Sequence, residues 1–223
     1  MYLQLPYHNR RAAGCILAQC LSQYRNRPDV VTFGLFRGGV PVAYEVALAL
    51  NIPLAVCFVR KLCAPEHPEL AIGAVASGGV YVLNPAISSV LAPQTELLKK
   101  VAERELRRCE KQHQILSSVS SMPFRGKKAI LTDDGLATGT TMHAAIRVIR
   151  LHYEASGCIV AAPVGSSEAC SSFQDEETDE VICPATPSPF YSVSQFYRDF
   201  RQITDEEVQS LLARAVQREH TKT

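Results

Sequence analysis

The chain has 223 residues, of which 23 are lysine or arginine and 22 are aspartate or glutamate, so its formal net charge is +1. Hydrophobic residues make up 47% of the sequence, an ordinary value for a globular protein, which excludes a disordered or fibrous chain. The small net charge argues against broad electrostatic attraction to nucleic acid or to an anionic membrane surface.

The alternation of strand and helix patterns along the chain indicates the fold class. The sequence predicts helices over 9–24, 40–50, 93–116, 142–152 and from 204 onward, and strands over 30–35, 53–59, 129–132, 158–164 and 180–183. This order favours an α/β fold with a doubly wound, mainly parallel sheet flanked by helices, in a single domain over residues 1–223. Residues 63–92 are predicted as a flexible loop that contains a hairpin of strands 72–76 and 80–83.

Neither a leader nor a membrane span is expected. The first residues show no basic start followed by an apolar stretch, and the longest apolar runs are too short to cross a bilayer. We therefore expect a soluble, cytoplasmic protein. The eight cysteines form neither a Cys-x-x-Cys pair nor a cluster with zinc spacing, so reduced structural thiols are expected rather than a disulfide framework.

The strongest functional signal follows the strand 129–132. Asp133 and Asp134 come first, and a short loop then leads into the next helix. The residues of this loop that carry the signal are Ala137, Thr138, Gly139, Thr140 and Thr141. Backbone N–H groups, hydroxyls and the helix dipole converge there and predict a phosphate cradle, which glycine lets the backbone approach closely. Carboxylates repel a phosphate, so the aspartates are predicted to face vicinal sugar hydroxyls. The alternative is that they only cap the helix.

Two basic segments follow the first two strands. Arg37, Gly38 and Gly39 come after the first strand, where a doubly wound sheet binds its ligands, and they suit an anion such as pyrophosphate. Arg60 and Lys61 end the second strand and are expected to point toward the same edge. The alternatives are a simple strand–helix turn with a surface arginine, and a solvated basic pair.

The segment from Leu131 to Thr141 resembles the phosphoribosyl-pyrophosphate signature of type I phosphoribosyltransferases. The chain also resembles a group of bacterial phosphoribosyltransferase-like proteins at residues 37–41, 60–62, 68–74 and 187–190, and the resemblance covers most of its length. It implies that such a protein transfers the phosphoribosyl group to a nitrogenous acceptor, a nucleobase above all, and releases pyrophosphate, as in nucleotide salvage. It also implies Mg²⁺ carried mainly by the substrate, with the protein's own metal ligands left open.

The resemblance assigns roles residue by residue. It implies that Asp133 and Asp134 hold the ribose hydroxyls, that 137–141 bind the 5′-phosphate, and that the loop of Arg37 binds pyrophosphate. Arg60 or Lys61 belongs to a mobile segment that closes over the pyrophosphate, and residues 184–223 supply a hood and the C-terminal helix. Asp133, Asp134 and Arg60 are the catalytic candidates.

The acceptor is partly restricted by one departure from the family pattern. Oxopurine enzymes of the family carry an aspartate as base where this chain has Ala137, which argues against hypoxanthine or guanine. Phe190 or Tyr191 is a candidate to stack on the acceptor ring, although aromatic residues in such clusters usually pack in a core.

Two other classes of protein are to be weighed against the enzyme. A regulatory protein that senses phosphoribosyl pyrophosphate without catalysis keeps the same fold, but the retained Arg37, Arg60 and both aspartates favour an enzyme. A Rossmann dehydrogenase is excluded because no Gly-x-Gly-x-x-Gly follows any strand. A homodimer is the default expectation for assembly.

Overall fold

The computed structural model of the protein describes residues 4–64, 67–76, 79–83, 95–117, 124–173 and 178–220. The helices are α1 (Arg10–Cys20), α2 (Gly39–Leu50), α3 (Thr95–Ser117), α4 (Thr140–His152), α5 (Ser167–Ser171) and α6 (Asp205–His220). The strands are β1 (Val30–Leu35), β2 (Leu54–Cys57), β3 (Val59–Ala64), β4 (His67–Ala76), β5 (Val80–Leu83), β6 (Lys128–Thr132), β7 (Gly157–Ala161) and β8 (Glu180–Ile182). Short 3₁₀ helices span Ser22–Tyr24 and Val193–Phe196.

The central sheet has the order β2-β1-β6-β7-β8, and every neighbouring pair of strands is parallel. Successive residues of a strand point to opposite faces, and both faces are covered. Ile130 belongs to a buried cluster with residues of α1 and α2, including Leu17 and Val46. The next residue, Leu131, belongs to a second cluster with Met142 of α4. The predicted doubly wound α/β fold is therefore confirmed.

The strand predicted over 53–59 is two strands in the structure. β2 ends at Cys57, the chain leaves the parallel sheet at Phe58, and β3 begins at Val59. β3, β4 and β5 form a separate antiparallel sheet, called the arm below, which contacts α3 and α4. The strands of the predicted hairpin are confirmed, since Ala76 pairs with Val80, and its turn residues 77–78 lie outside the described residues.

The sequence did not predict the pairing of β3 with β4. β3 carries Arg60 and Lys61, and β4 begins His-Pro-Glu, so neither has a clear strand pattern. Of the predicted flexible loop over 63–92, residues 65–66, 77–78 and 84–92 lie outside the described ones.

The start of α6 agrees with the sequence. Glu207 accepts from the backbone N–H of Thr204, and Thr204 Oγ1 accepts from that of Glu207, which confirms the capping box at the start of α6. The described residues contain no disulfide. Among the same residues, no helix is long and apolar enough to cross a membrane.

The order of the strands sets the position of a ligand site. From β1 the chain passes through α2 to β2 on one side, whereas from β6 it passes through α4 to β7 on the other. β1 and β6 are neighbours, with Gly34 in register with Thr132. Such a switch point leaves a crevice at the carboxyl ends of the strands, where open α/β sheets bind their ligands.

Candidate active site

A cavity of about 560 Å³ lies at the carboxyl ends of β1 and β6. It is within the size range of small-molecule sites in proteins. Five of the predicted site residues line it: Arg37, Gly38, Arg60, Asp133 and Asp134. Residues that the sequence did not point to complete much of the wall: Arg10, Gln112, Val193, Phe200 and Gln202.

The loops after β1 and β6 are packed directly against each other. A Cβ atom added to Gly38 would lie 2.2 Å from Oδ2 of Asp134, and one added to Gly39 would lie 2.4 Å from the carbonyl oxygen of Thr132. Neither position has room for a side chain. The two glycines therefore allow the arginine loop and the aspartate pair to share one crevice.

The two aspartates form a crowded acidic pair at the cavity wall. Asp133 Oδ1 accepts a 2.9 Å hydrogen bond from the backbone N–H of Asp134. Burial raises the pKa of Asp133 well above its usual range, and the neighbouring charge of Asp134 raises it further. Burial also raises the pKa of Asp134, and the adjacent Arg10 opposes that increase. The site thus disfavours two full negative charges unless cations or hydroxyl donors compensate them.

Arg10, in the first turn of α1, is the direct partner of this pair. Its Nε donates to Oδ2 of Asp134 at 2.7 Å. Its Nη1 donates to the backbone oxygen of Arg201 at 2.9 Å, and its guanidinium carbon lies 3.8 Å from the centre of the Phe200 ring. The arginine thus connects α1, the aspartate loop and the segment before α6.

Tyr197 holds the same loop from the tail of the chain. Its hydroxyl donates to the backbone oxygen of Asp134 at 2.5 Å. Burial raises the pKa of Tyr197, with the charge of Asp134 as the next cause, so the phenol keeps its proton and remains a donor. Val193 also contacts the loop, since a Cβ on Gly135 would lie 2.5 Å from its Cγ1.

Arg37 and Arg60 enter the cavity from different elements. Arg37 makes a long ion pair of 3.5 Å with Asp205 at the start of α6. Arg60, on β3 of the arm, contacts Glu105 at 3.5 Å and donates to Gln112 at 3.3 Å, both on α3. Its Nε is buried and has no hydrogen-bond partner among the described residues. An anion in the cavity is a suitable acceptor for these guanidinium donors.

The predicted phosphate loop lies between β6 and α4. Gly139 precedes the helix with φ of 71°, a left-handed conformation that favours glycine, and its ideal Cβ would lie 2.7 Å from Cζ of Phe173. Ser166 fixes the loop by donating to the backbone oxygen of Ala137 at 2.9 Å. Ala137 and Thr138 are exposed, whereas Thr140 and Thr141 are half-buried in the first turn of α4.

Several predicted site residues do not line the cavity, among them Gly39, residues 137–141 and Phe190. Phe190 is half-buried and packs on Phe196 with ring centres 5.0 Å apart, against a buried cluster that also includes Tyr7 and Val164. Tyr191 is 84% exposed. Phe200 is the aromatic residue of the tail that lines the cavity. The side chain of Lys61 lies outside the described residues.

One of the missed residues had a signal in the sequence. Arg10 precedes Ala13 by three residues and Leu17 by seven, so it lies on the buried stripe of α1, where an arginine needs a partner. Gln112, Gln202 and Phe200 belong to no motif. Only the packing of α3 and of the tail brings them to the cavity.

Comparison with known proteins fits this geometry. The sequence model described as a phosphoribosyl transferase domain matches residues 59–199, which is more than half of the chain. The chain belongs to the phosphoribosyl transferase family. Two proteins of Mycobacterium tuberculosis, from strains CDC 1551 and H37Rv, are each named "Putative phosphoribosyl transferase" and are each 41% identical to it over 213 residues. That alignment covers 94% of this chain and 47% of each relative.

A solved structure shares this transferase-family fold closely. The crystal structure of TT1426 from Thermus thermophilus superposes with a TM-score of 0.82 at 36% identity, and covers 94% of this chain and 99% of that one. The chain spans about half the length of the curated relatives that it matches.

Proposed function

We propose that the protein transfers the phosphoribosyl group of phosphoribosyl pyrophosphate to a nitrogenous acceptor and releases pyrophosphate. The observation that carries this proposal is the cavity that brings Arg37, Gly38, Arg60, Asp133 and Asp134 together at the switch point of the sheet. These residues come from three separate segments. They offer cations for a pyrophosphate and carboxylates for sugar hydroxyls in one space.

The positive and negative side chains of the cavity lie in different places, which supports a ligand that carries anionic groups and hydroxyls at different positions. The carboxylates of Asp133 and Asp134 lie after β6, whereas the guanidinium groups of Arg37 and Arg60 enter from the first loop and the arm. The loop before α4 does not line this cavity, but it follows Asp134 directly and is proposed to offer helix-terminal N–H groups to a second phosphate. A ribose with a phosphate at one end and a pyrophosphate at the other fits this distribution of charge.

The reaction follows from these contacts. A nitrogen lone pair of the acceptor forms the new bond to the anomeric carbon while the bond from that carbon to the pyrophosphate oxygen breaks. Pyrophosphate leaves with the electron pair, and the proton of the nitrogen passes to water. Positive charge develops on the ribose ring beside Asp133 and Asp134, and negative charge on the leaving group beside Arg37 and Arg60. Preorganised charges of this kind are a major source of catalysis.

The donor set suits a magnesium ion that arrives with the substrate. Asp134 is engaged by Arg10, which leaves Asp133 as the carboxylate for a cation, and the described residues contain no cluster of three or more acidic, histidine or cysteine ligands. Mg²⁺ usually takes one or two carboxylates and completes its shell with substrate phosphates and water. When bound, it would neutralise charge on the leaving pyrophosphate, and Asp133 would hold it.

The acceptor subsite is proposed to lie against the tail. Phe200 and Val193 supply apolar surface, and Gln112 and Gln202 supply amides that can both donate and accept hydrogen bonds. This chemistry suits a planar heterocycle with ring nitrogens. Ala137 provides no carboxylate, which disfavours an oxopurine.

The test is pyrophosphate release from phosphoribosyl pyrophosphate and Mg²⁺ across a panel of adenine, orotate, uracil and other nitrogenous acceptors. We expect release with at least one of them. Asp134→Asn should weaken binding of phosphoribosyl pyrophosphate, measured by calorimetry, because an amide is a weaker acceptor for the ribose hydroxyls than a carboxylate. Asp29→Asn is the matched control, since Asp29 is an exposed aspartate that pairs with Arg27 just before β1, at the opposite end of that strand from the cavity.

Three outcomes separate the candidate functions. If wild type releases pyrophosphate, Asp134→Asn abolishes that release and Asp29→Asn preserves it, the transferase function is supported. Tight binding of phosphoribosyl pyrophosphate without release across the panel supports a sensor instead. Failure of the wild-type protein to bind this compound contradicts both functions.

A further inference from the structure

Two cysteine side chains, which the proposed function does not use, meet beside the candidate site. Cys170 lies in α5, and Cys183 directly follows β8. A Cβ atom added to Gly165 would lie 2.7 Å from Sγ of Cys170 and 3.1 Å from Sγ of Cys183, so both sulfurs lie over this glycine. Any side chain at position 165 would fill the space that the sulfurs occupy. Both cysteines are free, and each is half-buried.

The two thiols interact with each other as well as with the backbone. The thiol of Cys183 lies 3.4 Å from the carbonyl oxygen of Ala185 and within hydrogen-bond distance of the Cys170 sulfur, so it can donate to either acceptor. Donation from Cys183 lowers the pKa of Cys170, and burial opposes this effect. The same hydrogen bond raises the pKa of Cys183, and burial raises it further. The thiolate, which is the reactive form, is therefore favoured at Cys170.

The other cysteines whose side chains the structure describes do not share this environment. Burial raises the thiol pKa of four of them: Cys15, Cys20, Cys57 and Cys109. Cys158 is completely buried. Reactive cysteines have a lowered pKa and partial exposure, whereas buried structural cysteines are inert. Among the described cysteines, Cys170 is therefore the candidate nucleophile, and Cys183 is the thiol in contact with it.

The cysteine pair is connected to the loop before α4 through α5. Ser166 caps this helix, since its Oγ accepts from the backbone N–H of Ala169 at 3.0 Å. The same hydroxyl donates to the backbone oxygen of Ala137 at 2.9 Å. Phe173, just after α5, lies against Gly139, whose ideal Cβ would be 2.7 Å from Cζ of the ring. A movement of α5 would therefore reach the loop at two points.

We propose that Cys170 and Cys183 form a modification site that a peroxide converts reversibly into a disulfide, and that the disulfide moves α5 and alters the loop before α4. A disulfide holds its two sulfurs about 2.0 Å apart, whereas sulfurs in non-bonded contact are about 3.5–4 Å apart. Formation of the bond therefore draws α5 and the segment after β8 together. The loop contacts of Ser166 and Phe173 move with the helix.

Hydrogen peroxide oxidises the pair in two steps. The Cys170 thiolate attacks one oxygen of the peroxide, the O–O bond breaks, and hydroxide leaves with the electron pair, which makes Cys170 a sulfenic acid. The thiolate of Cys183 then attacks the Cys170 sulfur, the S–O bond breaks, and a second hydroxide leaves as the S–S bond forms. The protons of the two thiols convert both hydroxides to water. Two sulfurs are thereby oxidised, and one peroxide is reduced to two water molecules.

The experiment treats the full chain with hydrogen peroxide and compares wild type with Cys170→Ser, Cys183→Ser and the control Cys20→Ser. Cys20 is a half-buried cysteine outside the pair. After alkylation of free thiols, cleavage at glutamates without reductant separates the two cysteines at Glu180 unless a disulfide joins their peptides. Mass spectrometry detects the joined peptides. Backbone amide NMR of residues 137–141 in the ligand-free protein reports on the loop.

We expect the joined peptides in oxidised wild type and in Cys20→Ser, and their absence from Cys170→Ser and Cys183→Ser. Dithiothreitol should separate the peptides by thiol–disulfide exchange. Oxidation of wild type should shift the amide signals of residues 137–141, and the reductant should restore them. Calorimetry should show that phosphoribosyl pyrophosphate binds oxidised wild type about threefold or more weakly, because the loop is displaced from the phosphate. This last expectation alone rests on the proposed function.

The results separate this inference from the proposed function. Absence of the joined peptides from oxidised wild type overturns the modification site. A disulfide that leaves the loop amides unchanged overturns the connection between the pair and the loop. If reduced wild type binds no phosphoribosyl pyrophosphate, the proposed function fails, while the peptides and the amide signals still decide whether the disulfide forms and alters the loop.

Discussion

Gly38→Ala tests the close approach of the arginine loop to the acidic pair. Gly38 has φ of −62° and ψ of −33°, a right-handed conformation that alanine adopts easily. On that ground alone the substitution should stabilise the protein by about 0.4–1 kcal/mol. The new methyl group would, however, lie 2.2 Å from Oδ2 of Asp134 and 2.9 Å from its Cγ, so the carboxylate has to move.

Movement of the carboxylate breaks the 2.7 Å contact with Arg10. A hydrogen bond to a charged group is worth about 1.5–3 kcal/mol, so the net loss in free energy of unfolding should be about 1–2 kcal/mol. Binding of phosphoribosyl pyrophosphate should weaken about tenfold or more. Chemical denaturation and calorimetry measure the two effects.

A double-mutant cycle with Asp134→Ala isolates the cause. Once the carboxylate is removed, the Gly38 methyl has nothing to displace, and Gly38→Ala should then be neutral or slightly stabilising. An equal cost of Gly38→Ala in both backgrounds would refute the reasoning, since the damage would then come from elsewhere in the loop.

Three further substitutions test other parts of the site. Asp133→Asn should raise the free energy of unfolding at neutral pH, because burial raises the pKa of Asp133 and makes its ionisation costly in the folded state. That cost is absent below about pH 4, the pKa of an aspartate in the unfolded chain, and it grows as pH rises toward the pKa in the folded protein. Thermal melts that show the same gain in stability below about pH 4 and at neutral pH would contradict this reasoning. Gly139→Ala should destabilise the protein by about 2 kcal/mol, because of the positive φ at this position and because the new methyl group would contact Phe173. In the control Gly126→Ala, φ is 75° but nothing lies within 4 Å of the new methyl group, so the loss should be about 1 kcal/mol. Equal losses of the two variants in chemical denaturation would show that the contact with Phe173 has no effect. Tyr197→Phe and Tyr7→Phe each remove a buried hydroxyl donor and should each lose about 1 kcal/mol, but only the former, whose hydroxyl contacts Asp134, should weaken phosphoribosyl pyrophosphate binding in calorimetry.

The sheet could be predicted from the sequence because each strand is recognisable from the residues of its own segment. Residues 30–35 and 129–132 are largely apolar runs that end in polar loops, and such runs are typical of central parallel strands. The same locality placed Arg37 and the aspartates at one edge, since the carboxyl ends of neighbouring parallel strands meet there.

The remaining parts depend on contacts between distant segments. Phe58 divides one apolar run between two sheets, and no single residue in that run marks the break. Arg10 and Phe200 reach the cavity only through the packing of α1 and the tail, which spacing along the chain does not encode. Phe190 and Phe200 both pack against the same buried cluster, and only the tertiary structure shows that Phe200 also lines the cavity.

The Arg10 contacts carry a consequence for folding. Asp134 is 124 positions from Arg10, and Arg201 is 191 positions away, so these two contacts close very long loops of the chain. Contacts of such separation carry a large entropic cost and are typically late to form. A bound ligand would therefore add its binding free energy to the whole tertiary structure rather than to one segment. Occupancy of the site would then serve as a readout of complete folding, and resistance to proteolysis at both α1 and α6 should rise together when ligand is added.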